Sequence, residues 1–229
     1  MQLRLVLVSP KYQVNLGHIA RVAKNFGIGK LHIVKPRASI TGSQAIKYSK
    51  HAHELLENAV MHKTFDDAVK GCALVVGTTG IWRKAKSGFN NIYPSGEAAE
   101  YAKRLCGKRG TVALVLGRDD TGLSPEELAA CDIVAYVKTN DAYPVLNISH
   151  AAAILLYAFT FGDFSQQYPE MARPAASEAE LRELVKQFRK LITGKGVRDK
   201  KSVERVFRRV IKVSQPTKQE IHALITALK

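Results

Sequence analysis

A chain of 229 residues, 46% hydrophobic and 24% charged, holds one good-sized domain, or one domain with a small appendage, and needs no staples to build a core. Its net charge of +15 favours a polyanionic partner, nucleic acid first among them. Cys72, Cys106 and Cys131 are odd in number and form no CxxC, which argues against a disulfide framework or a zinc site and for a reducing cytoplasm.

The first apolar run, Leu3–Val8, is too short for a signal peptide and lacks a basic leader. No run approaches the ~20 residues of a membrane span. Leu31–Val34, Ala73–Val76, Val112–Leu116 and Ile133–Val137 follow, each nearly continuous in apolar character. Strands buried on both faces read this way. Helical patterns alternate with them. Leu16–Phe26 sets Ile19, Val22, Ala23 and Phe26 on one face, and Gln44–Val60 and Ser95–Leu105 read as helices. Asn147–Phe161 carries Ile148, Ala152, Leu155, Leu156 and Phe159 at helical spacing. Alternation of this kind predicts an α/β fold, a parallel sheet flanked by helices.

The texture changes after Asp163. Residues 166–176 contain Pro169 and Pro174, show no periodicity and read as a linker. Three helices are predicted beyond it. The first opens on a capping box, Ser177 with Glu180, and ends at Gly194 and Gly196. The second begins near Ser202, and the third follows Pro216 with Thr217 and Glu220 as a further box. From Glu170 onward 15 Lys and Arg stand against 7 Asp and Glu. More than half of the net positive charge thus lies in the last quarter of the chain.

Three polar segments sit at predicted strand ends, where open α/β sheets bind ligands. Asn15-Leu-Gly17-His-Ile-Ala-Arg21 follows the first strand. Gly17 permits close backbone approach, and Asn15 and Arg21 are expected to face one site. Gly117-Arg-Asp119-Asp120-Thr-Gly122-Leu123 follows the Val112–Leu116 strand. Tyr143-Pro144-Val145-Leu146-Asn147-Ile-Ser149 enters the long apolar helix, with Asn147 or Ser149 able to cap it. Each alone also reads as an ordinary turn or cap. Between Gly80 and Pro94, Trp82, Arg83, Lys84, Lys86, Phe89 and Tyr93 interleave aromatics with cations, a pattern that suits splayed bases and phosphates. His51 and His53 read as surface residues, not metal ligands.

Taken in order, the three segments resemble the SPOUT methyltransferases, in their SpoU branch and among its TrmJ-like tRNA members. Asn15, Gly17 and Arg21 match N-x-G-x-x-x-R. Gly117, Asp119, Gly122 and Leu123 resemble G-x-E-x-x-G-L, with aspartate where glutamate is usual. Val145, Leu146, Asn147 and Ser149 resemble S-L-N-x-S, with valine where serine is usual. The resemblance implies a SPOUT fold with a C-terminal trefoil knot, and S-adenosylmethionine bound by Thr78, Thr79, Gly80, Gly117, Val137, Pro144, Val145 and Leu146. It implies methyl transfer from a sulfonium to a ribose 2′-oxygen, with Arg21, Asn15, Asp119 and Asn147 as the catalytic set and no metal. The expected substrate is tRNA, in the anticodon loop at a nucleotide-32-type position, and the expected assembly a homodimer. The expected organisation is a methyltransferase domain at 1–165, a linker at 166–176 and a basic helical domain at 177–229. RNA contacts are expected from Arg83, Lys84 and Lys86 and from Lys200, Lys201, Arg205, Arg208 and Arg209. Two other readings stay open: a ribosomal RNA ribose methyltransferase of the same branch, and a non-catalytic RNA-binding relative.

Overall fold

The computed structural model describes residues 1–81, 91–107, 110–162, 176–214, 216 and 218–228. The expected RNA contacts Arg83, Lys84 and Lys86, nearly all of the linker, and the Thr217 cap lie outside these residues. The chain divides into two compact units, Met1–Gln167 and Tyr168–Lys229.

The first unit is built on a parallel sheet of seven strands. The strands are β1 (Gln2–Val8), β2 (Leu31–Val34), β3 (Val60–His62), β4 (Leu74–Thr78), β5 (Ile92–Pro94), β6 (Thr111–Leu116) and β7 (Ile133–Tyr136), in the order β3-β2-β1-β6-β4-β7-β5. The five runs read from the sequence are β1, β2, β4, β6 and β7, the strands with covered faces. Val6, Val8, Val34, Val75, Ala113 and Val115 turn to one layer and pack on Ala68, Phe65 and Leu128. These come from α4 (Phe65–Val69) and α6 (Pro125–Ala130). The alternate residues Leu5, Leu7, Leu31, Ile33, Leu114 and Leu116 are equally buried and, by the period of the pleat, turn to the other layer.

In chain order the remaining helices of this unit are α1 (Gln13–Asn25), α2 (Ser43–Ser49), α3 (His53–Glu57), α5 (Ser95–Cys106) and α7 (Ile148–Thr160). α1 packs on α2 and α7, and α5 on α7. Gly17 lies at the α1–α2 contact: a Cβ there would stand 2.6 Å from the Ala45 carbonyl oxygen and 2.7 Å from Tyr48 Cβ. α1 begins at Gln13, so the Asn15 segment sits inside its first turns and not at the junction before it.

One predicted element is corrected. Gln44–Val60 is not one helix. It is α2, a 3-10 turn at Lys50–Ala52, then α3, and Val60 already belongs to β3. Lys50 adopts φ 52, which interrupts the helical register, and Ala52 leaves it again at φ −113.

The second unit holds α8 (Glu178–Gly194), α9 (Lys200–Ser214) and α10 (Lys218–Ala227). The Ser177–Glu180 capping box is formed in both directions. α9 starts two residues before the expected Ser202. Leu184, Ile211 and Ile221 make the core, with Leu181, Phe207 and Ile225 against it. The Phe188 and Phe207 rings stack at 3.7 Å and 8°, and Arg189 grips Glu204 at 2.7 and 2.5 Å. Among the described residues no helix is long and apolar enough to cross a membrane.

Candidate functional site

The site grows from the exit of β6. After Leu116 the chain makes a tight turn in which Arg118 and Gly122 exchange backbone hydrogen bonds, both 3.0 Å, with Gly122 at φ 70. Gly117 has room for no side chain: a Cβ would lie 2.2 Å from the Gly122 carbonyl carbon and 2.3 Å from Leu123 N. Arg118 then lays its fork on Glu127 at 2.8 and 2.9 Å. Glu127 also accepts the Ser124 N–H at 2.7 Å, closing the capping box of α6. Burial pushes the Glu127 carboxyl up, but the Arg118 fork and the Ser124 N–H outweigh it and hold it below the usual range. Arg118 is thus spent on the loop's own architecture, which the S-x-x-E spacing of Ser124 and Glu127 could have signalled.

Asp119 ties this loop to the next strand. Its two carboxylate oxygens accept the Lys11 backbone N–H at 2.7 Å and Asn15 Nδ2 at 2.5 Å. Asn15 Oδ1 in turn accepts Asn147 Nδ2 at 3.1 Å. Asn147 Oδ1 accepts the Ser149 N–H at 2.9 Å and its hydroxyl at 2.7 Å, and so caps α7. Three of the four residues expected to be catalytic therefore form one hydrogen-bonded line across more than a hundred positions of sequence. Lys11 adds an ion pair to Asp120 at 2.9 Å. That ammonium holds the Asp120 carboxyl below its ordinary range.

Beside this line lies a cavity of about 210 Å³. All eight positions expected to hold a cofactor line it: Thr78, Thr79, Gly80, Gly117, Val137, Pro144, Val145 and Leu146. Leu116, Ile148 and Leu155 add apolar wall, Asp119 and Asp120 add carboxylates, and Ala151 and Ile81 were not foreseen. The loops are fixed from within. Thr78 Oγ1 donates to Val115 O at 2.8 Å, Thr79 N to Ala135 O at 3.1 Å, and Thr139 Oγ1 to Pro144 O at 2.9 Å. Val145, half exposed, rests on Gly80, whose missing Cβ would meet its methyls at an ordinary 3.5 Å.

Arg21 stands apart. It is exposed on α1 and does not line the cavity. Asn15 does not line the cavity either. Six residues of helix turn the side chain by about 600° and carry it about 9 Å along the axis, so the two lie on different faces. In the second unit Lys200, Lys201, Arg205 and Arg208 are exposed, whereas Arg209 is half-buried and its Nε has no partner among the described residues. A larger cavity, about 690 Å³, opens at the opposite edge of the sheet around Met1, Phe26, Lys103 and Phe159, away from every strand exit named above. Among the described residues no three His, Cys, Asp or Glu side chains converge as a metal site would require.

Against known proteins, residues 2–157 match the model of the SpoU rRNA Methylase family. The chain belongs to that family. It is a methyltransferase. The tRNA (cytidine-2′-O-)-methyltransferase TrmJ of Methanocaldococcus jannaschii is 34% identical over 197 residues, 84% of this chain and 82% of that protein. The crystal structure of TrmJ from Z. mobilis superposes with a TM-score of 0.69 at 22% identity, covering 100% of this chain and 98% of that one. The SpoU methyltransferase AviRb from Streptomyces viridochromogenes, solved in complex with AdoMet, matches with a TM-score of 0.52 at 19% identity, covering 69% of this chain and 59% of that one. The last two likenesses show that the seven-stranded unit shares the fold of those proteins.

Proposed function

We propose that this chain methylates ribose 2′-oxygens of tRNA with S-adenosylmethionine, at a nucleotide-32-type position of the anticodon loop, in the cytoplasm and as a homodimer. One observation carries the reading. Positions drawn from four separate segments line a single cavity at the carboxyl ends of β4, β6 and β7, in a chain 34% identical over most of its length to a tRNA (cytidine-2′-O-)-methyltransferase.

The residues present fit the cofactor. Leu116, Val137, Leu146 and Leu155 would offer apolar wall to a flat adenine, and Asp119 and Asp120 would supply carboxylates to a cationic sulfonium. The cavity, about 210 Å³, lies below the ~300–1,000 Å³ of most ligand pockets. When bound, S-adenosylmethionine supplies the methyl group. The trefoil threading of these loops belongs to the same proposal, as does the assignment of residues 1–165 to catalysis.

The protein's own residues orient and exclude. Asp119, Asn15 and Asn147 lock the loops after β6, β1 and β7 into one frame. Arginine is a poor base, because a guanidinium holds its proton throughout the physiological range. Arg21 therefore acts by holding a substrate phosphate and the 2′-hydroxyl in line and by stabilising developing charge. Tyr157 of α7 and Phe161 at its C-cap are mostly exposed and cluster with Phe26, the C-cap of α1, at centroid distances of 6.5 and 5.9 Å, with Ile154 also exposed on α7. An exposed apolar patch of this kind supports pairing of two copies. A homodimer is also the arrangement in which an arginine that does not line its own cavity can serve the second copy's. The helical unit, residues 177–229 after a linker at 166–176, together with Arg83, Lys84 and Lys86, supplies phosphate contacts.

Incubation of the protein with methyl-labelled cofactor and either tRNA or ribosomal RNA, followed by nucleoside mass spectrometry and position mapping, tests the reading. A 2′-O-methylated nucleoside in the tRNA anticodon loop is expected. Label confined to ribosomal RNA would move the chain to the other substrate, and no transfer to either RNA despite cofactor binding would leave a non-catalytic relative.

A further inference from the structure

The carboxyl edge of the sheet does not end at the cavity. It continues across β1, β2 and β3, and the backbone laces these exits together. Lys11 N donates to Asp119 of the β6 loop at 2.7 Å. Ser9 N donates to Val34 O at 2.7 Å, and Arg37 N and Ala38 N donate to Pro10 O at 2.9 and 3.1 Å. Lys35 N donates to His62 O at 3.3 Å. At about 4.8 Å per strand, the rim from β6 to β3 is roughly 14 Å long.

Along it stand Lys11, Lys35, Arg37 and Lys63, all exposed. Lys11 is paired with Asp120. Lys35, Arg37 and Lys63 have no ion pair among the described residues. The nearby carboxylates are engaged or lie at the far end: Asp120 by Lys11, Asp67 by the Thr64 hydroxyl at 2.6 Å, and Asp66 in the first turn of α4. Two residues of this rim, Ser9 at φ 47 and Lys35 at φ 41, hold a left-handed backbone without being glycine. Such conformations persist only where the surroundings impose them, and they gather at functional surfaces. Here they fix the turns that carry Lys35 and Arg37.

We propose that this rim is a track for the phosphodiester backbone of the RNA, leading the substrate strand across β3, β2 and β1 to the mouth of the cavity. The inference rests on the reading of this chain as an enzyme acting on RNA, and adds a phosphate-binding surface inside the catalytic unit, separate from the basic helices. Contacts of this kind carry no sequence information. They set register, and they are paid in released counterions. An open row of exposed cations, three of them without an ion pair among the described residues, suits a continuous polyanion and not a small free phosphate.

The test uses the full chain and tRNA, with binding followed by fluorescence anisotropy over a potassium chloride series. The variant is Lys35→Gln/Arg37→Gln/Lys63→Gln. Its affinity should fall about tenfold or more near physiological salt, and the slope of log affinity against log salt should flatten by roughly 2. A charge-matched control away from the rim, Lys30→Gln/Lys50→Gln/Lys70→Gln, should leave the slope near that of the parent. Affinity for S-adenosylhomocysteine, read by calorimetry, should stay within about twofold in both, which reports an intact cavity. The charge-keeping variant Lys35→Arg/Arg37→Lys/Lys63→Arg should retain the parental slope. An unchanged slope in the first variant overturns the track, as does an equal loss in the charge-keeping one. Methyl transfer by the parent to tRNA is scored separately. If the parent methylates tRNA while the rim variant binds normally, the track fails and the enzyme reading stands. If the parent binds RNA through the rim but methylates none, the track stands and the enzyme reading fails.

Discussion

The two units of this chain are put together in opposite ways. In the sheet unit the candidate site is made by distant partners: Asn15 meets Asp119, and Asn147 meets Asn15, across 104 and 132 positions of sequence. Its cavity is lined by glycine, apolar and threonine side chains, with Asp119 and Asp120 held in place by Lys11 and Asn15. In the helical unit the order is local. One capping box, i to i+4 pairs and a small core around Leu184, Ile211 and Ile221 hold three helices whose outer surface is basic. One unit is rigid enough to position atoms. The other displays charge on a small scaffold.

That contrast is sharpest if the scaffold can be removed while the site stays. Leu184 is fully buried, and a leucine-to-alanine change in a core typically costs about 2–5 kcal/mol. A unit of this size has little more than that to lose. Leu184→Ala should therefore melt the helical unit at or below room temperature while the sheet unit keeps its transition. Calorimetry should show two separate transitions, and affinity for S-adenosylhomocysteine should hold while tRNA affinity falls. One shared transition that shifts as a whole would show that the two units are not independent.

Within the sheet unit the expected effects divide between chemistry and framework. Arg21→Ala should lower methyl transfer by about 10²-fold or more, the scale for losing one charge-stabilising donor. Cofactor affinity should move only a few-fold, because Arg21 does not line the cavity. Arg21→Lys should recover little, since lysine lacks the planar fork. Near-normal turnover in the alanine variant would remove Arg21 from the catalytic set. Asp119→Asn should cost less, roughly tenfold in cofactor affinity. One of its two accepted N–H groups would then face an amide donor, a loss of about 1–3 kcal/mol when such a group goes unsatisfied. Asp119→Glu keeps both acceptors and should be milder. Equal losses from the two would assign Asp119 to packing instead.

These outcomes bear on what the sequence made visible. β1, β2, β4, β6 and β7 could be read because burial on both faces makes a strand almost wholly apolar. β3 and β5 could not: each is three residues long, half-exposed and at a sheet edge. The cavity positions were legible through the family resemblance; Thr78–Gly80, Gly117 and Val137 lie at strand ends, where this class of sheet binds ligands, whereas Pro144–Leu146 lie well beyond β7. The Asn15–Asp119–Asn147 line was not, since no local spacing encodes a partner more than a hundred residues away. The same limit explains Arg21. It shares a motif with Asn15, yet the helix carries the two to different faces, and neither lines the cavity. In the helical unit, where contacts are local, helix starts were read to within two residues.

The smallest expected effect is confined to the sheet unit. His32 and His62 stack with centroids 5.1 Å apart and planes at 14°, and Nδ1 of His32 meets Nε2 of His62 at 2.9 Å. One ring nitrogen must donate and the other accept, so the pair tolerates at most one added proton without losing that bond. Burial, then Arg4, then His62 and Lys30 lower the His32 pKa to about 4, and burial followed by Arg4 lowers His62 as well. The Arg4 guanidinium is fixed nearby by the carbonyls of Ala68 and Lys70. An unfolded histidine titrates near 6.5, so between about pH 6.5 and 4 the unfolded chain binds more protons than the folded one. The stabilisation is therefore complete above about pH 6.5 and is lost as the pH falls toward 4. Because the rings are only half-buried, solvent screening keeps the effect modest, a few degrees of melting temperature for a unit of this size. His32→Gln should lower the melting temperature at neutral pH and flatten its slope between pH 6.5 and 4.5 in the sheet transition alone. An unchanged slope in that variant would place the acid sensitivity elsewhere, in the carboxylates that pin the site: Asp120 on Lys11 and Glu127 on Arg118, both held below their usual range and both losing their ion pairs only at lower pH.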